Sequence, residues 1–160
     1  MKLAQFISLF LFTLITGVFW GTWFSLSRSI GAISPANFLE IGHIMIANLG
    51  RPMSMLMPAA ILSTTLIIYL LYRRRQTTAL VLTVAAVALM VAAMIVTLVV
   101  NVPIDGQIRE WTTATLPSDW QAIRDRWEFY HMVRTFLSLA AVSCLFASVL
   151  WRGDAAEAVQ

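Results

Sequence analysis

Residues 79–100 read ALVLTVAAVALMVAAMIVTLVV, a run with no charge, no glycine and no proline. A helix needs about 20 largely apolar residues to cross the hydrocarbon core of a bilayer. Only a helix or a closed barrel satisfies its backbone polar groups there. This run therefore reads as a membrane-spanning helix. Three more runs of similar character lie at about 3–26, 53–72 and 132–151. Lys2 precedes the first, as in a secretory leader, but the run is too long and no small-x-small cleavage site follows, so a retained anchor is expected. The second run contains Pro58, where a kink is expected. The whole 160-residue chain is 59% hydrophobic and 12% charged, with a mean hydropathy of +0.79. Soluble domains carry about 25% charged residues. The fold class is thus all-α, a single four-span membrane bundle over residues 1–152 with a frayed polar tail at 153–160.

Charge placement gives a direction. The connection between the second and third runs is Arg73-Arg74-Arg75-Gln76. Short arginine-rich loops stay in the cytoplasm. Both termini then lie on that side of the plasma (bacterial inner) membrane. Tyr69, Tyr72 and Trp151 fall at the inner interface and Trp20 and Trp23 at the outer one, where amphipathic rings prefer to sit. The net charge of +3 shows no basic patch interleaved with aromatics, so a nucleic-acid partner is not expected. Cys144 is the only cysteine, which excludes an internal disulfide and argues against thiol oxidation. It reads as a small packing residue. Gly17 and Gly21 have the spacing that lets helices approach closely, and packing within the bundle is expected of them.

The two outer connections carry structure. Ser34 is a good N-cap and Pro35 a good first helical residue, while Gly50 and Pro52 are stop signals. A short interfacial helix from Pro35 to about Leu49 follows, with Asn37, Glu40, His43 and Asn48 as its polar stripe. In the third connection, Ser118 and Gln121 fit a capping box. No glycine or proline occurs from Asp119 to Arg152. The fourth helix should start near Asp119 and extend about three turns beyond the membrane. Trp120, Arg124, Trp127, His131, Arg134 and Ser138 follow three- and four-residue steps and share one face. That face is too apolar for water and too charged for lipid, so it should pack on protein, with the short helix as its partner. Arg134 lies inside the hydrophobic boundary, where a charge is costly unless paired or in a polar cavity.

Both histidines follow a glutamate by three residues: Glu40-Ile-Gly-His43 and Glu128-Phe-Tyr-His131. Glu-x-x-His is half of a carboxylate-bridged di-metal site in helical bundles. The first and third spans supply no Asp or Glu, and Asp105 is the only near candidate, so a complete di-iron site is not expected. Three readings stand. The four residues make structural bonds; or they line a polar pocket that binds or deprotonates an organic ligand; or His43, His131, Glu40 and Glu128 hold one transition metal. Asn101, before Val102-Pro103, either caps the third span or bonds across the bundle.

The stretches NVPIDGQIREW (101–111), LPSDW (116–120) and RDRWEFYHMVRTFLSL (124–139) resemble the anthrone-oxygenase-like family of small four-helix membrane proteins. Asn101, Pro103, Trp111, Arg126, Trp127, His131 and Arg134 carry the resemblance. The first half of the chain matches mainly in hydropathy. Fungal members are linked to oxidation of anthrones to anthraquinones by molecular oxygen without an obvious cofactor. The resemblance implies a base and an anion-stabilising site, with His131 as base and Arg134 or Arg124 as stabiliser. The expected pocket faces outward and is polar. Asn101, Trp120, Arg126 and Trp127 bind a small aromatic or quinone-like ligand there, with Asn48 from the first connection. The cofactor is either absent or one transition metal. The alternative is a non-catalytic accessory subunit or scaffold, in which the same face docks a membrane partner or a second copy. A transporter acting as a monomer is disfavoured, because no charge lies at mid-bilayer.

Overall fold

The computed structural model describes the backbone of residues 1–157 and the side chains of residues 1–151. The described residues are helical throughout apart from connections. Helix α1 spans Lys2–Ser25, α2 Pro35–Arg73, α3 Thr77–Val96, α4 Val102–Glu110 and α5 Trp120–Glu157. A 3-10 stretch, Ser27–Ala32, follows α1, and one π-helical turn, Thr97–Asn101, joins α3 to α4. Among the described residues four helical segments are long and apolar enough to cross a membrane, the expected number. The chain is a multi-pass membrane protein. The tail does not fray at Arg152, since α5 continues to Glu157, and residues 158–160 lie outside the described part.

The helices pack in a ring, α1 beside α2, α2 beside α3, α3 beside α5 and α5 beside α1. The centre is filled by Phe12, Ile15 and Phe19 of α1, Met57 and Ala60 of α2, Ala86, Met90 and Ala93 of α3, and Ala141 and Leu145 of α5. Alanines at the contacts bring the backbones close, which matters where lipid removes the hydrophobic drive for helices to associate. Hydroxyls bridge the helices: Ser8 Oγ lies 2.9 Å from Ser63 Oγ, Thr83 Oγ1 lies 2.7 Å from Ser148 Oγ, and Thr16 Oγ1 donates to the Ser138 carbonyl at 3.2 Å. Cys144 packs beside this core as expected. Outside it, Leu62, Leu66, Val81, Ile95, Phe146 and Leu150 are exposed, an apolar belt suited to lipid.

Gly17 and Gly21 depart from expectation. Both are exposed, and an added Cβ at either would meet nothing within 4 Å, so neither serves packing inside the bundle. The close approach is instead at Gly42, where a Cβ would meet Ile108 Cγ2 at 3.2 Å.

Two expected breaks are absent. The first connection does not hold a separate interfacial helix. Instead α2 runs for 39 residues through Gly50, Pro52 and Pro58, roughly 58 Å at 1.5 Å per residue. A proline removes one ladder bond, and tertiary packing can outweigh that loss. Phe38 and Leu39, at the start of α2, are buried against Ile104 and Ile108 of α4, and Ala60, Ile67 and Leu71 are buried beyond the prolines, so packing fixes the helix on both sides of them. Its start is as expected, with Ser34 Oγ accepting from the Asn37 N–H at 3.3 Å. Likewise Asn101 does not cap the third span. Helical backbone continues through the π turn into α4, where Pro103 sits in the first turn and needs no N–H partner. Asn101 takes its other expected role and bonds across the bundle.

At the far end, α2 closes with the Arg75 N–H on the Tyr72 carbonyl and the Gln76 N–H on the Leu71 carbonyl. This Schellman-type cap places Arg75 in the left-handed region at φ 52°. Tyr69, Tyr72 and Trp151 are exposed there, as an aromatic belt requires.

Candidate functional site

The described part of α5 presents its mixed face inward. Its first turns pack on α2 and α4 as expected: the Trp120 ring lies 5.4 Å from the Phe38 ring, within a cluster that includes Ile30, Leu39, Ile104 and Ile108. One to two turns further in, three side chains of α5 meet the π turn and α4. Trp127 donates its indole N–H to Asp105 Oδ1 at 2.8 Å. Asn101, fully buried by the π turn, donates Nδ2–H to the Trp127 carbonyl at 3.1 Å. The Trp127 ring stacks on His131 at 5.0 Å and 11°, and Phe19 meets the same imidazole edge-on at 6.1 Å.

Arg134 completes the group. It is 8% exposed, within the apolar part of α5. Its Nε and Nη2 lie 2.9 and 2.8 Å from His131 Nδ1, and Nη1 donates to Thr97 Oγ1 at 3.3 Å. Its guanidinium carbon sits 4.6 Å from the Phe19 ring centroid. All these partners are neutral. The one ion pair among the described residues is Arg124 with Asp125, so no carboxylate oxygen lies within 4.0 Å of Arg134. A guanidinium has five N–H groups, and these contacts use three of them. Because His131 Nδ1 accepts from Arg134, the neutral ring carries its proton on Nε2, an assignment from the bonding pattern. That Nε2 is buried and has no hydrogen-bond partner.

A cavity of about 190 Å³ lies against this group. Phe19 and Thr22 of α1, Met45, Met53 and Met57 of α2, Met94 of α3, Thr97 and Asp105 help line it, with Trp127, His131 and Arg134. Its exposed lining residues are Gly50, Ser54 and Pro58 on α2 and Leu98 and Val102 on the other side. The mouth therefore opens sideways between α2 and the α3–α4 unit. This differs from the expected outward-facing polar pocket built from the connections: the walls are mostly apolar, with four methionines among them, and they belong to the helices and the π turn.

The expected site residues divide. Trp127, His131 and Arg134 line the cavity. Arg124 does not: its guanidinium bonds Asp125 Oδ1 at 2.9 and 2.7 Å and lies 5.1 Å from the Trp120 ring. Trp120 packs on Phe38, and Arg126 and Asn48 are exposed away from the cavity. Asn101 stands behind Trp127 and positions it. The metal set is not assembled either. His43 Nε2 lies 2.8 Å from the Ile108 carbonyl and caps the end of α4, His131 Nδ1 is taken by Arg134, and Glu40 is exposed. Among the described residues, no three His, Cys, Asp or Glu side chains converge as metal ligands. The sequence reading missed Thr97 and the methionine wall, and it saw Asp105 only as a metal candidate.

The arrangement has defined chemical capacities. A desolvated guanidinium with uncommitted N–H groups, beside an imidazole N–H, stabilises an anionic oxygen far better than water-exposed donors do. The apolar walls accept a planar, uncharged body. Fold and site together define a multi-pass helical-bundle membrane protein with a buried cationic centre in a lateral apolar cavity. The family described as Anthrone oxygenase matches residues 49–144, and the chain belongs to that family. The matched stretch contains Met53, Met57, Thr97, Asp105, Trp127, His131 and Arg134. No curated protein and no solved structure matches the chain.

Proposed function

We propose that this protein binds a compact aromatic molecule of the anthrone or quinol type in the lateral cavity and oxidises it with molecular oxygen. The observation that carries this reading is Arg134, a buried cation facing a mostly apolar cavity, with Asp105 acting on it from the same cavity but not in a direct ion pair. Burial without a directly bonded counter-charge is costly, and such residues in membrane helices mark functional sites. An anthrone supplies an anionic oxygen for direct contact once its ring methylene loses a proton, because the charge then rests on the carbonyl oxygen. Arg134 and the His131 Nε2–H would hold that oxygen, and Trp127, Phe19 and the methionines would hold the rings. Methionine suits irregular apolar ligands. The cavity is smaller than the roughly 300–1,000 Å³ of drug-sized sites, which favours a compact ligand. In net terms the methylene and one dioxygen become a carbonyl and one water.

Purified protein in lipid nanodiscs should consume oxygen when given anthrone, and His131→Ala should lower the rate at least tenfold. Equal rates for wild type and His131→Ala would remove the enzymatic reading. The accessory-subunit reading would then gain, and a stoichiometric membrane partner in mild detergent would support it.

The orientation belongs to the same proposal. Arg73, Arg74 and Arg75 support an orientation with the short connection and both termini on the cytoplasmic side of a bacterial inner membrane. A reporter fused after Arg75 should be active only in the cytoplasm. Activity outside the cell would reverse the orientation.

A further inference from the structure

We infer that Asp105, rather than His131, takes the proton from the substrate; this rests on the proposed oxidation and deepens it. The group that removes a proton needs an uncommitted lone pair facing the ligand. His131 has none to offer, since Nδ1 accepts from Arg134 and Nε2 carries the ring proton. Asp105 lines the same cavity and, among the described residues, is the only carboxylate that does. Its Oδ1 is held by the Trp127 indole at 2.8 Å, which fixes the carboxyl group and leaves Oδ2 without a hydrogen-bond partner among the described residues. Asp105 and Arg134 lie more than 4.0 Å apart, so they face the cavity as separate groups. An anthrone matches that separation in kind, with its carbonyl oxygen and its methylene at opposite edges of the central ring.

The step balances. A methylene C–H bond breaks, the proton goes to Asp105 Oδ2, and the electron pair delocalises onto the carbonyl oxygen held by Arg134 and His131. Dioxygen is the oxidant. The carbanion is oxidised by dioxygen with formation of a C–O bond, and the resulting peroxide takes the proton from Asp105; loss of the second C–H proton with cleavage of the O–O bond then leaves the carbonyl and one water, and the carboxylate is restored.

The experiment compares Asp105→Asn with wild type in nanodiscs. It measures oxygen uptake with anthrone and the dissociation constant for an ionised hydroxyanthraquinone. Asparagine keeps an acceptor for Trp127 but cannot take the proton. Turnover should fall at least about 100-fold, the usual worth of a positioned base. The dissociation constant should stay within about threefold. As a second variant, Asp105→Ala should regain at least about tenfold in turnover when formate is added, because a free carboxylate can enter the vacated space. A retained rate above one-tenth of wild type in Asp105→Asn overturns the inference, as does a collapse of binding together with rate or the absence of formate rescue. If wild type itself consumes no oxygen with anthrone, the proposed oxidation falls and this inference falls with it. Wild-type turnover with an unimpaired Asp105→Asn removes this inference alone.

Discussion

Arg134→Met should reduce oxygen uptake by about 100- to 1,000-fold, the loss typical of removing a donor that holds a developing oxyanion. The same change should leave the fold nearly as stable as before. Desolvating a buried charge is costly, so replacing it by an apolar side chain of similar volume recovers part of that cost. Against that, His131 Nδ1 loses both of its donors, which costs about 1–3 kcal/mol for a buried polar group left alone. Thr97 Oγ1 still donates to the Ala93 carbonyl at 2.8 Å. The two effects offset, so the thermal midpoint in nanodiscs should move by only a few degrees. Arg134→Lys should fall between, because a single ammonium cannot reproduce a planar fork that reaches both His131 and Thr97. A methionine variant that keeps more than one-tenth of wild-type turnover would show that the cation holds structure and not substrate.

Trp127→Ala should be the most destabilising single change at the site. Its ring stacks on His131 and its indole holds Asp105, which ties α5 to α4; the bond from Asn101 is to the backbone carbonyl and survives the change. Loss of a large buried aromatic costs about 3–5 kcal/mol. Trp127 is only half-buried, so the lower end, about 3 kcal/mol, is expected. For a chain of this size that corresponds to a midpoint lower by about 6–12 °C. Trp127→Phe keeps a stacking ring and loses only the N–H. It should fall by less, about 1.5–3 kcal/mol, the range for a bond to a charged acceptor. Thermal unfolding in nanodiscs checks the order wild type, Phe, Ala. Equal stability of the Phe and Ala variants would mean that the stack on His131 contributes nothing.

Much of the fold was legible because lipid imposes so simple a rule. Apolar runs of sufficient length mark all four spans, and the run of α5 without glycine or proline marks its extension beyond the membrane. The second helix was less legible for a specific reason. Gly50 and Pro52 are stop signals in isolation, but the buried contacts of Phe38 and Leu39 on one side and of Met57 and Ala60 on the other hold the helix through them. Breaking the helix there hid the wall of the cavity. Met45, Leu49, Met53 and Met57 recur every four residues, and they form one stripe only if the helix is continuous.

The site divides in the same way. His131 and Arg134 lie three residues apart on one helix, so their meeting could be read from spacing. The direction of the bond could not, and it decides which of them accepts a proton. Asp105 and Trp127 come from different helices, and ending the third span near Asn101 left Asp105 outside it. Only the π turn, which carries helical backbone through to α4, sets the carboxylate beside the indole.

The central claim is that a cation seated among apolar walls selects a flat molecule bearing one negative oxygen. Its most direct measurement is a titration of wild type and Arg134→Met, read by quenching of tryptophan fluorescence, with a hydroxyanthraquinone at a pH where it is ionised and with its O-methyl ether. Wild type should bind the ionised form at least about tenfold more tightly, worth about 1.4 kcal/mol, and Arg134→Met should show no preference. Equal affinity of wild type for the anion and the ether would contradict the claim.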